Sequence, residues 1–174
     1  MQKVAIIGTT SWGVTLAVLL ATRGTDVRLW ARTQREASKL RKSGSDRFPD
    51  IKLPEAIKIT HLMEEALREA DAVLLPVPSE TMRQNISRVA TYLTKNTVIV
   101  SASKGLEIGS NKRMSEVIAD EINPRFAVNI CVLSGPQLSQ EIIHNRPAAA
   151  VVAAEGKETA KKAQRLLTCP NFCV

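Results

Sequence analysis

Lys3-Val4-Ala5-Ile6-Ile7-Gly8-Thr9-Thr10-Ser11-Trp12-Gly13, running on through Val14 to Arg23, Gly24 and Val27-Arg28-Leu29-Trp30, is the stretch on which the reading of this chain turns. Lys3–Ile7 is short, apolar and β-branched, the composition of a strand buried on both faces. Val14 to Arg23 is apolar enough for a buried helix, Gly24 stands where such a helix stops, and Val27 to Trp30 reads as a second strand. Strand, glycine turn, helix and strand within about thirty residues make a βαβ unit whose turn resembles G-x-G-x-x-G, the loop that cradles a dinucleotide pyrophosphate.

Gly8 supplies the tight turn of that loop, and Gly13 the close approach of helix to strand. The middle position, where glycine lets the backbone near the pyrophosphate, is Thr10. A Cβ there predicts one of three things. Either the phosphate is blocked, or the backbone is strained by roughly 1–2 kcal/mol at positive φ, or the hydroxyl reaches a phosphate oxygen from a loop that has moved aside. The loop alone leaves open both a dinucleotide site and a βα turn that needs glycine only for packing.

With 174 residues, 44% apolar and 24% charged, the chain reads as one globular domain, residues 1–174. No apolar run approaches a membrane span, and Met1 leads straight into a strand with no signal peptide. Cys131, Cys169 and Cys173 are odd in number and lack clustered histidines, which predicts reduced thiols in a cytoplasmic protein with no disulfide framework and no metal site. The net charge is +7, much of it in Arg32, Arg35, Lys39, Arg41, Lys42 and Arg47. Aromatic residues at 3% and the lack of any nucleic-acid-binding motif argue against a nucleic-acid partner. A charge run of this kind is ordinarily a solvated helix face. Its location adds a second reading. The second strand ends Trp30-Ala31-Arg32-Thr33 with no carboxylate before Glu36, and an arginine there accommodates the 2′-phosphate of NADP, where an acid would favour NAD.

The rest of the chain alternates as in a doubly wound, mostly parallel α/β sheet. Strands are expected at 56–60, 71–75, 97–102, 129–133 and 148–153, with helices at 33–43, 62–69, 80–93, 112–121, 138–143 and 157–167. Pro76-Val77-Pro78 ends the strand before it, because proline cannot continue a central ladder. Residues 171–174 read as the start of a further strand. Two strand ends carry chemistry. Ser103-Lys104-Gly105 puts a lysine at a carboxyl edge, where it either attracts a phosphate or polarises a carbonyl, or is a solvated loop lysine. Ser134-Gly135-Pro136 presents backbone amides to an anion, or is a plain turn. His61 and His144 stand apart from these edges and read as surface histidines.

Ser11-Trp12-Gly13, Leu29-Trp30-Ala31-Arg32, Val77-Pro78-Ser79, Ser103-Lys104-Gly105-Leu106-Glu107 and Leu133-Ser134-Gly135-Pro136 follow one another in an order and spacing similar to the amino-terminal domain of bacterial NAD(P)-dependent glycerol-3-phosphate dehydrogenase. The resemblance covers essentially the whole chain and rests most on the Ser-Lys-Gly-Leu-Glu and Ser-Gly-Pro segments. It implies a Rossmann-type fold and NADP or NAD as cofactor, with Gly8, Thr10 and Gly13 forming the glycine loop and Ser11, Trp12 and Arg32 holding the cofactor. Lys104 matches a lysine between nicotinamide and substrate, and so the catalytic position. Gly135 matches a residue touching glycerol phosphate. Gln137 stands where the family usually has serine or threonine for the substrate, Ser139 where it usually has alanine near the cofactor, and Pro76 replaces another alanine there. The implied reaction is hydride transfer between nicotinamide C4 and C2 of dihydroxyacetone phosphate, giving sn-glycerol 3-phosphate for glycerophospholipids.

In that family a helical second domain follows and carries the acid/base lysine and the rest of the phosphate site. The present sequence stops at Val174, so the expectation is a partial chain, inactive alone, whose uncovered face would drive association between copies. Two other readings stay open. One is a non-catalytic nucleotide-binding or interaction module with a degenerate glycine loop; the other is the cofactor domain of a different two-domain reductase, such as ketopantoate reductase.

Overall fold

A computed structural model describes residues 2–174. Seven strands form one sheet in the order β3 (Lys58–Thr60), β2 (Asp26–Trp30), β1 (Lys3–Ile7), β4 (Ala72–Leu75), β5 (Val98–Ser101), β6 (Ile130–Ser134), β8 (Val151–Ala154). All neighbours are parallel except β8, which runs antiparallel to β6 at the edge. Chain order reverses direction between β1 and β4, the point at which such sheets open a crevice at the carboxyl ends of their strands.

The strands are apolar on both sides because each faces a separate core. Val4 and Ile6 of β1 point into a core with α1 (Ser11–Thr22), α6 (Ser139–Ile143) and α7 (Lys157–Leu167). Ala5 and Ile7 point into the other, with α3 (Met63–Leu67), α4 (Met82–Ala90) and α5 (Met114–Glu121). This is the doubly wound arrangement that the alternation of elements predicts. Of the helix expected over 80–93, Met82, Ile86, Val89 and Leu93 are buried, and α4 proper ends at Ala90 and is preceded by a 3-10 turn over Ser79–Thr81.

The carboxyl-terminal region corrects the sequence reading. The strand expected over 148–153 divides at Ala150: β7 (Ala148–Ala149) pairs with β9 (Phe172–Cys173) in a separate two-stranded sheet, while β8 joins the main one. Ala150 N–H donates to the Cys173 carbonyl at 2.8 Å, which prolongs the small ladder to the division. A run of alanines and valines has no alternation to mark such a break, so its position is decided by the partners. No helix among the described residues is long and apolar enough to cross a membrane.

Candidate functional site

The crevice at the switch point is formed by the turn after β1, residues 8–10, and the turn after β4, residues 76–78. Gly8 has φ +107°, a conformation L side chains rarely adopt, and a Cβ on it would stand 3.3 Å from Val77 Cγ1. Gly13 packs so close that an added Cβ would meet the Gly8 carbonyl oxygen at 2.3 Å. The two flanking glycines therefore act as the motif requires, one for backbone conformation and one for close packing.

Thr10 does not carry the strain its position suggested. Its φ and ψ are −60° and 165°, ordinary extended values, and it is the N-cap of α1. Its hydroxyl accepts from Gly13 N–H at 3.0 Å and donates to the Pro76 carbonyl at 2.8 Å, tying the two switch-point turns together. Thr10→Gly consequently relieves nothing. Thr10→Ala is expected to cost about 1 kcal/mol through loss of the cap, read as a lower urea midpoint with unchanged slope; an unchanged midpoint would refute the capping role.

Two cavities, each of about 270 Å³, open from this crevice and share Thr10, Val77 and Pro78 in their walls, so they form two lobes of one cleft. The first lies beyond the end of β2, with Gly8, Trp30, Arg32, Glu36 and Arg47 around it. The second lies toward β5 and β6, lined by Trp12, Lys104, Gln137 and Ser139. Between them the first-turn N–H groups of α1, at Ser11 and Trp12, precede the helix's own hydrogen bonding. A larger cavity of about 420 Å³ between α1, α6 and residues 169–171 lies elsewhere and gathers no comparable set of charged groups.

Glu36 and Arg47 are residues that sequence reasoning did not bring to the site. Glu36 accepts Arg32 N–H at 3.0 Å and the Thr9 hydroxyl, and its own N–H donates to Thr33 Oγ1 at 3.1 Å. The Thr-x-x-Glu spacing is a capping-box signature that could have located it at the start of α2 (Gln34–Ser43). Arg47 comes from the 44–54 loop, which is anchored by the buried side chain of Phe48; no local signal announces that placement. Among the described residues neither Arg32 nor Arg47 is paired with a carboxylate; the paired arginines are Arg28, Arg83 and Arg113.

The 44–54 loop is also clasped to α6. His144 Nε2 lies 2.7 Å from Asp50 Oδ2, and Gln140 Nε2 donates to the Arg47 carbonyl at 3.4 Å. The carboxylate beside it raises the His144 pKa above its ordinary 6.5, and the imidazole in turn lowers that of Asp50. For a group raised on folding, the contribution is fully present below the unfolded value and lost as pH rises through the folded one. The imidazole resonances are therefore expected to titrate above 6.5 and to return toward it in Asp50→Asn. Equal midpoints in the two proteins would show that the clasp is absent in solution. His61 contributes only its carbonyl, which accepts from Trp30 Nε1 at 3.0 Å.

At the other lobe, β5 ends at Ser101, and Ser103 Oγ donates to the Leu75 carbonyl at 2.8 Å, setting the backbone just before Lys104. Gly105 has φ +107°, and a Cβ there would stand 3.0 Å from Ser79 Oγ. Gly135 does not itself line the cleft; at φ +151° it leaves the space in which the Gln137 amide sits, since a Cβ would meet Gln137 Nε2 at 3.0 Å. That Nε2 is buried with no hydrogen-bond partner, a donor left over by the protein on the wall of the cleft. Ser139 opens α6, and its carbonyl accepts from the Thr15 hydroxyl at 3.4 Å. Of the residues expected from the sequence, Gly8, Thr10, Trp12, Arg32, Lys104, Gln137 and Ser139 line the two lobes; Gly13 and Gly135 act through close packing, and Ser11 stands at the first turn of α1 outside both linings. Cations at one end, helix N–H groups in the middle and an orphan amide donor at the other fit an elongated, anionic dinucleotide.

Comparison with known proteins agrees with this geometry. Residues 3–160 match the family described as NAD-dependent glycerol-3-phosphate dehydrogenase N-terminus. The NAD(P)+ glycerol-3-phosphate dehydrogenase of Dehalococcoides mccartyi is 54% identical over 176 residues, covering 99% of this chain and 49% of that protein. That of Streptomyces griseus is 44% identical over 164 residues, covering 93% of this chain and 48% of that protein. The crystal structure of glycerol-3-phosphate dehydrogenase from Coxiella burnetii superposes with a TM-score of 0.89 at 30% identity, over 99% of this chain and 53% of that one. The chain thus spans about half the length of the curated relatives it matches. It belongs to the family of NAD-dependent glycerol-3-phosphate dehydrogenase amino-terminal domains.

Proposed function

We propose that this chain binds NADP or NAD along the cleft and forms the cofactor half of an oxidoreductase that interconverts dihydroxyacetone phosphate and sn-glycerol 3-phosphate. The observation that carries the reading is the continuity of the two lobes through Thr10, Val77 and Pro78 at the switch point. When bound, the nicotinamide supplies the hydride that such a reaction needs. The adenosine end falls to the lobe with Arg32 and Arg47, whose unpaired guanidinium groups favour NADP through its 2′-phosphate. The pyrophosphate falls to Ser11, Trp12 and the Gly8–Gly13 turn.

Lys104 is the catalytic candidate, since its ammonium can stabilise negative charge on a carbonyl oxygen or attract a phosphate. Gln137 offers its free amide and Gly135 the backbone beneath it to the substrate, while Ser139 borders the cofactor. Lys104 is also the only titratable side chain among the residues lining that lobe. One cation cannot hold a phosphate dianion, stabilise an alkoxide and pass a proton, so these residues alone are expected to bind cofactor without turnover. The reading places the protein in the cytoplasm, with three free cysteines in keeping with a reducing compartment, and copies of it associating through exposed apolar residues near the Lys104 lobe such as Leu106, Ile108 and Leu138.

The test uses the chain's own probes, because Trp12 stands in one lobe and Trp30 in the other. Saturable quenching of tryptophan emission by NADPH and NADH is expected, without NADH oxidation when dihydroxyacetone phosphate is added. The absence of saturable quenching by either cofactor would overturn the binding reading; oxidation of NADH would overturn the prediction of a catalytically incomplete lobe.

A further inference from the structure

Lys104 stands between two anchors, and only the first lies in the cleft. Behind it, Ser103 is tied to the end of β4. Ahead of it, Glu107 turns away from the cleft and meets Arg83 on α4 in a two-pronged ion pair, with Nε to Oε1 at 2.7 Å and Nη2 to Oε2 at 2.8 Å. Parallel N–H donors on one carboxylate fix orientation as well as distance. Glu107 accepts further from the Ser110 hydroxyl at 2.6 Å, and its backbone N–H donates to the Lys112 carbonyl at 2.9 Å. Its carboxyl is only 16% exposed, and the Arg83 guanidinium holds its pKa down to about 2.

The same guanidinium reaches α5, donating to Glu121 at 2.6 Å and to Asp120 at 3.0 Å, while Lys112 pairs with Asp120 at 2.6 Å. One arginine thus joins α4, α5 and the loop that carries Lys104. The intervening Gly105 leans on Ser79, at the start of the turn that leads into α4.

We propose that Arg83 and Glu107 are positioning residues for Lys104, their two-pronged ion pair clamping the far end of the 103–107 loop so that the lysine stands at the nicotinamide lobe. The inference rests on the reading of Lys104 given under the proposed function. Neither side chain lines that lobe, so any effect on ligand binding there passes through the loop. The two partners are not equivalent. Removing Glu107 leaves Arg83 held by Asp120 and Glu121, whereas removing Arg83 leaves three carboxylates with only Lys112 among them, and their repulsion drives the loop outward.

Calorimetric titration with NADH and with ADP-ribose, which lacks the nicotinamide, separates this role from a general structural one. Glu107→Ala is expected to weaken NADH binding about fivefold, the net worth of roughly one hydrogen bond, and Arg83→Ala to weaken it more. ADP-ribose affinity is expected to stay within about twofold in both, and Glu107→Gln, which keeps one acceptor, to fall between wild type and Glu107→Ala. In a Lys104→Ala background, Glu107→Ala is expected to have no further effect, the signature of two residues acting as one unit. Thermal unfolding of each variant checks folding, with Glu107→Gln carrying the test if the alanine variant does not fold. Equal weakening of NADH and ADP-ribose, or additive effects with Lys104→Ala, overturns the inference while leaving Lys104 in place. Lys104→Ala at wild-type NADH affinity overturns the placement of Lys104 and the inference with it.

Discussion

Gly13→Ala is expected to lower the thermal midpoint by about 6–12 °C, the consequence of a packing cost near 3 kcal/mol in a domain of this size. The new methyl would lie 2.3 Å from the Gly8 carbonyl oxygen and 3.2 Å from Pro76 Cγ. Neither neighbour is the free end of a flexible side chain. One is backbone in a turn at φ +107°, and the other is a ring whose carbonyl is held by Thr10. Relief requires α1 to move off the sheet, which opens the crevice at its centre, so cofactor binding should fall with stability. Gly24→Ala is the control. Gly24 has φ +81° but nothing within 4 Å of an added Cβ, so it carries only the left-handed backbone cost of roughly 1–2 kcal/mol and no effect on the cleft. A Gly13→Ala midpoint no lower than that of Gly24→Ala would refute the close-packing argument.

Arg32→Ala is expected to weaken NADPH binding about tenfold and NADH binding by less than about twofold, reversing or erasing the preference between them. The ratio follows from the worth of a charge-assisted hydrogen bond, about 1.5–3 kcal/mol when sheltered and toward the low end here. Arg32 is exposed, so water and salt screen it. The NADPH effect should accordingly shrink as ionic strength rises, while the NADH affinity changes little. Arg47 lines the same lobe, and its removal should act in the same direction without adding fully, since the two residues border one cavity. Glu36 opposes them, and with both its carboxylate oxygens already engaged it contributes a fixed negative charge to that lobe. Parallel losses for NADPH and NADH in Arg32→Ala would mean that this lobe does not select by the 2′-phosphate.

The first βαβ unit was legible in the sequence because its determinants are local. Strand composition, a glycine that must turn, a glycine that must pack and an arginine at the end of the second strand all act over a few residues. The same holds for the order of elements and for the buried face of α4, which depend on hydrophobic period alone. What only the tertiary structure decided lies where distant segments meet. Thr10 takes ordinary extended φ and ψ, and its hydroxyl finds the Pro76 carbonyl, 66 residues away. Arg47 reaches the cleft because Phe48 is buried and α6 holds the loop across the clasp of His144 and Asp50, 94 residues apart. The alanine-rich run after 147 divides because β9 takes one half and β6 the other. Glu107 faces Arg83, 24 residues before it, on a helix whose outward side shows no period that would announce a partner. Local preferences are set by the backbone and nearest neighbours, whereas these contacts exist only once the sheet has closed and brought its carboxyl edge together.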